Sequence, residues 1–215
     1  MISFDAEQLL LERGLVAIGV DEAGRGALAG PVVAAAVVLH PDHIPSGIND
    51  SKKLRPEHRA RLAEDIRRCA VAWAIGMRSA RVIDEINILQ ATFEAMHEAV
   101  SLCHSKLDRP PEACHLLIDG NRFRPHAIDH TTIIGGDAKS LSIAAASILA
   151  KTVRDTYVSS ELHLTYPVYG FAHHKGYGTQ MHRDALISHG PCDEHRRSFL
   201  GRILDGNTPD TGADA

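Results

Sequence analysis

Three short apolar runs in this chain each end on a carboxylate, and that recurrence restricts the available folds more than any other feature. Leu15 to Val20 is followed by Asp21-Glu22, His115 to Ile118 by Asp119-Gly120-Asn121, and Thr131 to Ile134 by Gly135-Gly136-Asp137. Each run is short, rich in aliphatic and β-branched residues and bounded by turn residues, which is the pattern of a buried strand. A single acid at a strand end ordinarily organises a turn. Strands lying in one sheet, however, would deliver four acids to one side of it. Unpaired carboxylates so gathered repel one another, and hard divalent cations are the natural remedy.

The intervening segments alternate between strand and helix. Gly30-Pro31 leads into a strand over Val32 to Leu39, and a turn-rich stretch from Pro41 to Asp50 precedes a helix opened by Pro56, with Leu62, Ala63, Ile66 and Cys69 as its apolar stripe. Val71 to Met77 is a third strand. Asn87 with Gln90 resembles a capping box, and Phe93, Met96, Val100 and Cys103 continue at helical spacing. Ser140 is placed to cap a helix whose Ala144-Ala145-Ala146-Ser147 segment is small enough to lie close against a sheet. A last helix is expected from Thr179 to His189, closing at Gly190-Pro191, and Asp205 to Ala215 is expected to be a polar, frayed tail.

Composition excludes several classes. The 215 residues suffice for one domain with a small appendage, and no apolar run approaches the roughly 20 residues of a membrane span. The first residues lack the basic and apolar regions of a secretory signal, so a cytoplasmic location is expected. Cys69, Cys103, Cys114 and Cys192 form no CxxC pair, no His/Cys set has zinc spacing, and His173-His174 is expected to be a surface pair. No Ser/His/Asp or Cys/His nucleophile pattern stands out.

A formal net charge of −4 argues against nucleic-acid binding until its distribution is considered. Lys52, Lys53, Arg55, Arg59, Arg61, Arg67 and Arg68 fall between Ser51 and Arg68 against three acids, and Lys175, Arg183, Arg196, Arg197 and Arg202 recur later. Arg59 to Arg68 is expected to be the solvated face of an amphipathic helix. Lys52 and Lys53 precede that helix and are the better phosphate contacts.

Gly24, Gly26 and Ala29 also satisfy the dinucleotide pattern G-x-G-x-x-A after a strand. That reading requires the glycines to open a helix, whereas Gly30-Pro31 and a strand follow, and two acids would stand beside the pyrophosphate. The alternative is a turn whose glycine amides approach a ligand while Arg25 reaches a phosphate.

Asp21-Glu22-Ala23-Gly24-Arg25-Gly26, Asn49-Asp50-Ser51-Lys52-Lys53-Leu54, Ile118-Asp119-Gly120-Asn121, Gly136-Asp137, Ala144 to Lys151, and Tyr169-Gly170-Phe171 with His174-Lys175-Gly176-Tyr177 together resemble the bacterial ribonuclease HII family. The likeness spans roughly residues 15 to 200 in the family's order. It implies an α/β, ribonuclease H-like fold: a central mixed sheet flanked by helices over residues 1–160 and a C-terminal helical extension over 161–204 that helps clasp the duplex; the polar composition of 205–215 leads to the expectation of a flexible tail there.

The resemblance further implies that Asp21, Glu22, Asp119 and Asp137 hold two divalent ions, Mn²⁺ or Mg²⁺. In-line attack at the scissile phosphate would then leave 3′-hydroxyl and 5′-phosphate ends. Gly24, Arg25 and Gly26 would sense the ribose 2′-hydroxyl, and Tyr177 would stack on the neighbouring deoxyribose. The implied partners are an RNA–DNA hybrid or ribonucleotide-containing duplex DNA, with a sliding clamp as a further candidate, for a chain expected to be monomeric. Asp155 is an extra acid read as structural. Gly135 stands where relatives often carry Lys, which puts one phosphate contact in doubt, and Arg196 and Arg197 either bind substrate or pair with nearby acids. A non-catalytic nucleic-acid-binding module on the same fold is the main alternative, since fold does not establish chemistry.

Overall fold

The computed structural model describes residues 2–204; the expected tail over 205–215 lies outside them. Strand β1 (Val16–Ala23) forms an antiparallel pair with β2 (Val32–Val38), and β3 (Ala72–Arg78) continues the meander. β4 (Cys114–Asp119) lies parallel to β1 on its other side, and β5 (His130–Ile133) lies parallel to β4. The five-stranded sheet thus has the order β3-β2-β1-β4-β5. One expectation needs correction: β1 does not stop before the acids. Its pairing with β2 continues through Asp21↔Ala35, Glu22↔Ala34 and Ala23↔Val33, so Asp21 and Glu22 are strand residues rather than turn residues.

Helices cover both faces. α1 (Asp5–Leu11) precedes the sheet, and α2 (Pro56–Cys69), α3 (Ala80–Ile86), α4 (Ile88–His104) and α5 (Leu141–Tyr157) follow in chain order. Neither α1 nor α3 is evident from the sequence pattern. Side chains of a strand alternate between faces, and the two cores follow that alternation. Ile18, Val20, Val32 and Ala34 pack with Ala91, Ala95, Met96 and Val100 of α4, whereas Val33, Ala35 and Val37 pack with Ala144, Ala145, Ile148 and Leu149 of α5 and with Leu62, Ala63 and Ile66 of α2. Close approach of α5 depends on Gly19, where an added Cβ would stand 2.2 Å from the Ser142 carbonyl carbon.

The capping box at α4 is half formed. Asn87 accepts from the amides of Leu89 and Gln90 at 3.0 and 3.1 Å, while Gln90 accepts from Arg124 instead of reaching back. Ser140 caps α5 as expected, accepting from the Ile143 amide.

Beyond α5 the chain passes through a π-helical turn (Val158–Leu162) and short turns to a helix over Gln180–His189, capped by Thr179 and followed by Gly190. This segment has its own core, in which Val158, Leu162, Tyr169, Phe171, Leu186 and Leu200 enclose Leu28 and Ala29 from the β1–β2 connection. The C-terminal extension is thereby packed against the loop that leaves the acidic end of β1. No helix among the described residues is long and apolar enough to cross a membrane.

Candidate active site

Because β1 and β4 run parallel, their C-terminal ends lie side by side, and Asp21, Glu22 and Asp119 come to one edge of the sheet. Consecutive residues of a strand address opposite faces. Asp21 is buried on the α5 side near Ser147, and Glu22 stands on the α4 side beside Leu89, Thr92, Phe93 and Met96. Asp137 arrives on a one-turn 3₁₀ helix (Gly136–Ala138) entered through Gly135 at φ 64°. The Gly136 amide donates to Asp119 Oδ1 at 2.7 Å, which ties the two acidic segments together. A cavity of about 420 Å³ collects Asp21, Glu22, Asp119, Gly24, Arg25, Lys52, Lys151 and Tyr177.

The electrostatics are those of crowded acids. Burial pushes the Asp21 carboxyl well above the usual carboxylate range, and the charges of Glu22 and Asp119 add to that. Burial also raises Glu22; Arg25 opposes the shift and Asp119 reinforces it. Two cations answer this charge: Arg25 Nη1 donates to Glu22 Oε1 at 3.1 Å, and Lys52 Nζ lies 3.6 Å from Asp137 Oδ2. Partial burial disfavours the Lys52 ammonium, but Asp137, Asp21, Asp50 and Asp119 outweigh it and raise its pKa.

As these side chains stand, no three His, Cys, Asp or Glu among the described residues are grouped to hold a metal ion. Asp119, Glu22 and Asp137 are instead engaged by Gly136, Arg25 and Lys52 respectively. The donor set itself, four carboxylates with no thiolate or imidazole, fits a hard divalent cation. With side chains 53% and 78% exposed, Arg25 and Lys52 have room to move aside for one.

The residues expected to meet substrate are only partly brought together. Gly24, Arg25, Lys52 and Tyr177 line the cavity, whereas Gly26 and Lys53 do not. Lys53 lies 3.9 Å from Asp50. Gly24 has φ +95°, and a Cβ there would stand 2.0 Å from Arg154 Nε; Gly26 is exposed and a Cβ there would meet nothing within 4 Å. The fold demands a glycine at 24 and not at 26. Gly24 to Pro31 leads directly into β2, with no helix to receive a pyrophosphate, so the dinucleotide alternative fails on its own requirement.

Three arginines position this site. Arg154 is fully buried and donates to the carbonyls of Pro31, Ala29 and Lys175 at 2.9 to 3.0 Å, bridging the β1–β2 loop to the segment that carries Tyr177. Arg196, also fully buried, donates to Gly30 through Nε and Nη2 and to Arg25 through Nη1. Neither alternative offered for Arg196, substrate or a nearby acid, describes it: its partners are backbone carbonyls. Arg59 departs from the expected solvated face of α2. It is buried, donates to the carbonyls of Ser51 and Leu54 and to Asp155 Oδ2, and so holds the loop bearing Lys52. A charged residue inside an apolar stripe, as Arg154 is in α5, is the signal the sequence offered. His174 also departs from expectation: it is buried, although His173 is exposed.

The family model for ribonuclease HII matches residues 18–201. Ribonuclease HII of Parabacteroides distasonis is 52% identical over 190 residues, covering 88% of this chain and 92% of the relative. Among solved structures, ribonuclease H2 from Pyrococcus horikoshii OT3 has 24% identity and a TM-score of 0.69, covering 89% of this chain and 98% of that one. The PCNA:RNase HII complex from Archaeoglobus fulgidus gives a TM-score of 0.69 at 26% identity, covering 85% and 93%. The mixed sheet and its flanking helices are accordingly a ribonuclease H-like fold, and the chain belongs to the ribonuclease HII family.

Proposed function

We propose that the chain hydrolyses the RNA strand of RNA–DNA hybrids and incises duplex DNA at single embedded ribonucleotides, leaving 3′-hydroxyl and 5′-phosphate ends. Family membership supports the hybrid-directed ribonuclease activity. The observation that carries the site assignment is the convergence of Asp21, Glu22 and Asp119 on a cavity rimmed by Arg25, Lys52 and Tyr177, with Asp137 held at its edge through Lys52.

Asp21, Glu22, Asp119 and Asp137 would hold two divalent ions, Mg²⁺ or Mn²⁺. When bound, such ions supply activation of water and neutralisation of charge at the phosphate. Arg25 and Lys52 turn from the carboxylates to the phosphodiester backbone, and Lys53 meets the duplex farther out. The amides of the Gly24-Arg25-Gly26 turn face the ribose, whose 2′-hydroxyl distinguishes RNA from DNA, and the Tyr177 ring stacks on the adjoining deoxyribose. Sequence-independent contacts of this kind suit an enzyme that works on many sequences. The protein acts as a monomer in the cytoplasm. A sliding clamp is a candidate partner, since the Archaeoglobus fulgidus relative forms a complex with PCNA.

Cleavage of an end-labelled DNA duplex containing one ribonucleotide tests the proposal, with Mg²⁺, Mn²⁺ or chelator, and with Asp21→Asn and an all-DNA duplex as controls. Metal-dependent incision on the 5′ side of the ribonucleotide, lost in Asp21→Asn, is expected. Cleavage of a long hybrid alone would remove the junction role of Gly24, Arg25, Gly26 and Tyr177. Binding without cleavage of either substrate would favour the non-catalytic module.

A further inference from the structure

Three buried histidines stand behind Tyr177, and none lines the carboxylate cavity. Their ring nitrogens are engaged on both sides, and the direction of each hydrogen bond follows from its partner, because a peptide carbonyl only accepts and a peptide N–H only donates. His182 Nδ1 lies 3.0 Å from the Tyr177 carbonyl and must donate to it. His182 Nε2, 2.9 Å from His195 Nε2, must then accept, so His195 carries its proton on Nε2. His195 Nδ1 is left as the acceptor, and it meets the Cys192 amide at 3.0 Å and the Cys192 thiol at 3.1 Å. His174 follows the same logic: Nε2 donates to the Tyr169 carbonyl at 2.7 Å, and Nδ1 accepts from the Gly176 amide at 3.2 Å. Its ring stacks on that of His182 at 4.4 Å.

A second proton on any of these rings would set an N–H against another N–H. The surroundings favour the neutral forms. Burial lowers the pKa of His174 and pushes His182 and His195 down to about 4. His173 and Lys175 face His174, and Arg197 faces His195, all of which disfavour further positive charge; Asp193 and Glu194 stand in the turn before His195 and act in the opposite sense.

We propose that His174, His182 and His195 are positioning residues for Tyr177: three neutral imidazoles in fixed tautomers hold the backbone on both sides of its side chain and so set where the ring meets the sugar beside the ribonucleotide. The inference rests on the junction role given to Tyr177 above. Lys151 Nζ and Arg154 Cζ lie 4.9 and 5.1 Å from the ring centroid, and the direction in which the ring leaves the loop depends on Gly176 and Tyr177 being held.

The readout is the ratio of kcat/KM for a single-ribonucleotide duplex to that for a uniform RNA–DNA hybrid, which a loss of overall stability would not change. His182→Leu removes the side-chain donor to the Tyr177 carbonyl and leaves it the Thr179 amide at 2.8 Å, and the ratio is expected to fall about tenfold. His182→Asn keeps an N–H near the Nδ1 position, and the ratio is expected to stay within about twofold of the parent. A ratio that falls in Tyr177→Ala but not in folded His182→Leu overturns the inference alone. An unchanged ratio in Tyr177→Ala overturns the Tyr177 role and this inference with it. Histidine ¹⁵N NMR of the unsubstituted protein near neutral pH needs no variant to fold. It should show His182 protonated on Nδ1, and His174 and His195 on Nε2. A cationic His182, or one protonated on Nε2, overturns the relay.

Discussion

Arg196 Nη1 donates to the Arg25 carbonyl at 2.9 Å, so a fully buried guanidinium fixes the backbone of the residue whose own guanidinium lies exposed at the rim of the acidic cavity. Burial pushes Arg196 down to about 9, and the nearby Arg154 adds to that shift. A buried cation without a carboxylate partner is costly. Its retention here is explained by the carbonyls of Arg25 and Gly30, which only a planar fork satisfies together.

Arg196→Lys keeps a charge and loses the fork. At least one of those carbonyls would lose its donor, at a cost of about 1–3 kcal/mol, and the melting temperature should fall by about 2–10 °C by calorimetry. Cleavage at a single ribonucleotide should fall more than that of a long hybrid. Equal losses on the two substrates would show that Arg196 stabilises the fold without placing the Gly24-Arg25-Gly26 turn.

Gly24 and Gly26 separate structural demand from substrate demand. Gly24→Ala drives a methyl group into Arg154 at a backbone conformation that side chains avoid, and both stability and cleavage should suffer. Gly26→Ala meets nothing, so its melting temperature should stay within about 1 °C of the parent. If the substrate sugar approaches this turn closely, Gly26→Ala should nevertheless lose cleavage by about tenfold or more. Full activity in Gly26→Ala would show that the turn is not in contact with the substrate.

How far the sequence foretold this arrangement differs from residue to residue. The strands, α2, α4 and α5, the helix over Gln180–His189 and the Ser140 cap were legible because each is encoded locally, by apolar periodicity or by a turn next to it. What was not legible depends on partners remote in the chain. Glu7 is buried because Ser140 Oγ and the Ser142 amide donate to it at 2.6 and 2.8 Å, and Arg59 is buried because Ser51, Leu54 and Asp155 surround it. The continuation of β1 through Asp21 and Glu22 is likewise set by β2, not by the acids themselves, which disfavour strands. Gly26 and Lys53 matched the family motif, yet the structure leaves both outside the cavity that the other substrate residues share.

Asp21→Asn should be more stable than the parent when metal is removed. The buried Asp21 carboxylate is disfavoured by desolvation first and by Glu22 and Asp119 next, and neutralising it relieves all three. A gain in stability in chelator is expected from denaturant unfolding, alongside loss of metal-dependent cleavage. In excess Mg²⁺ or Mn²⁺ the order should reverse, because bound ion stabilises the parent and not the variant. A variant less stable than the parent in chelator would show that Asp21 is held chiefly by its hydrogen bonds, not strained by its neighbours.

The buried imidazoles give the protein a pH dependence of definite sign. Unfolded histidine titrates near pH 6.5, whereas His182 and His195 in the folded chain are pushed down to about 4 by burial. Between these limits the unfolded chain binds protons that the folded chain refuses, so stability is complete above the upper limit and is lost as the pH falls through the window. The slope is at most about 1.4 kcal/mol per pH unit for each histidine. Asp21 and Glu22, both raised chiefly by burial, act in the opposite sense, since acidification removes their buried charge and the repulsion that adds to it. A single melting curve therefore mixes the two effects. Comparing the parent with a His182→Asn, His195→Gln double variant isolates the histidines: the parent should be the more stable at about pH 7, and the difference should shrink by about pH 4.5. A difference that stays constant across that range would mean that these rings take up protons as readily in the folded chain as in the unfolded one.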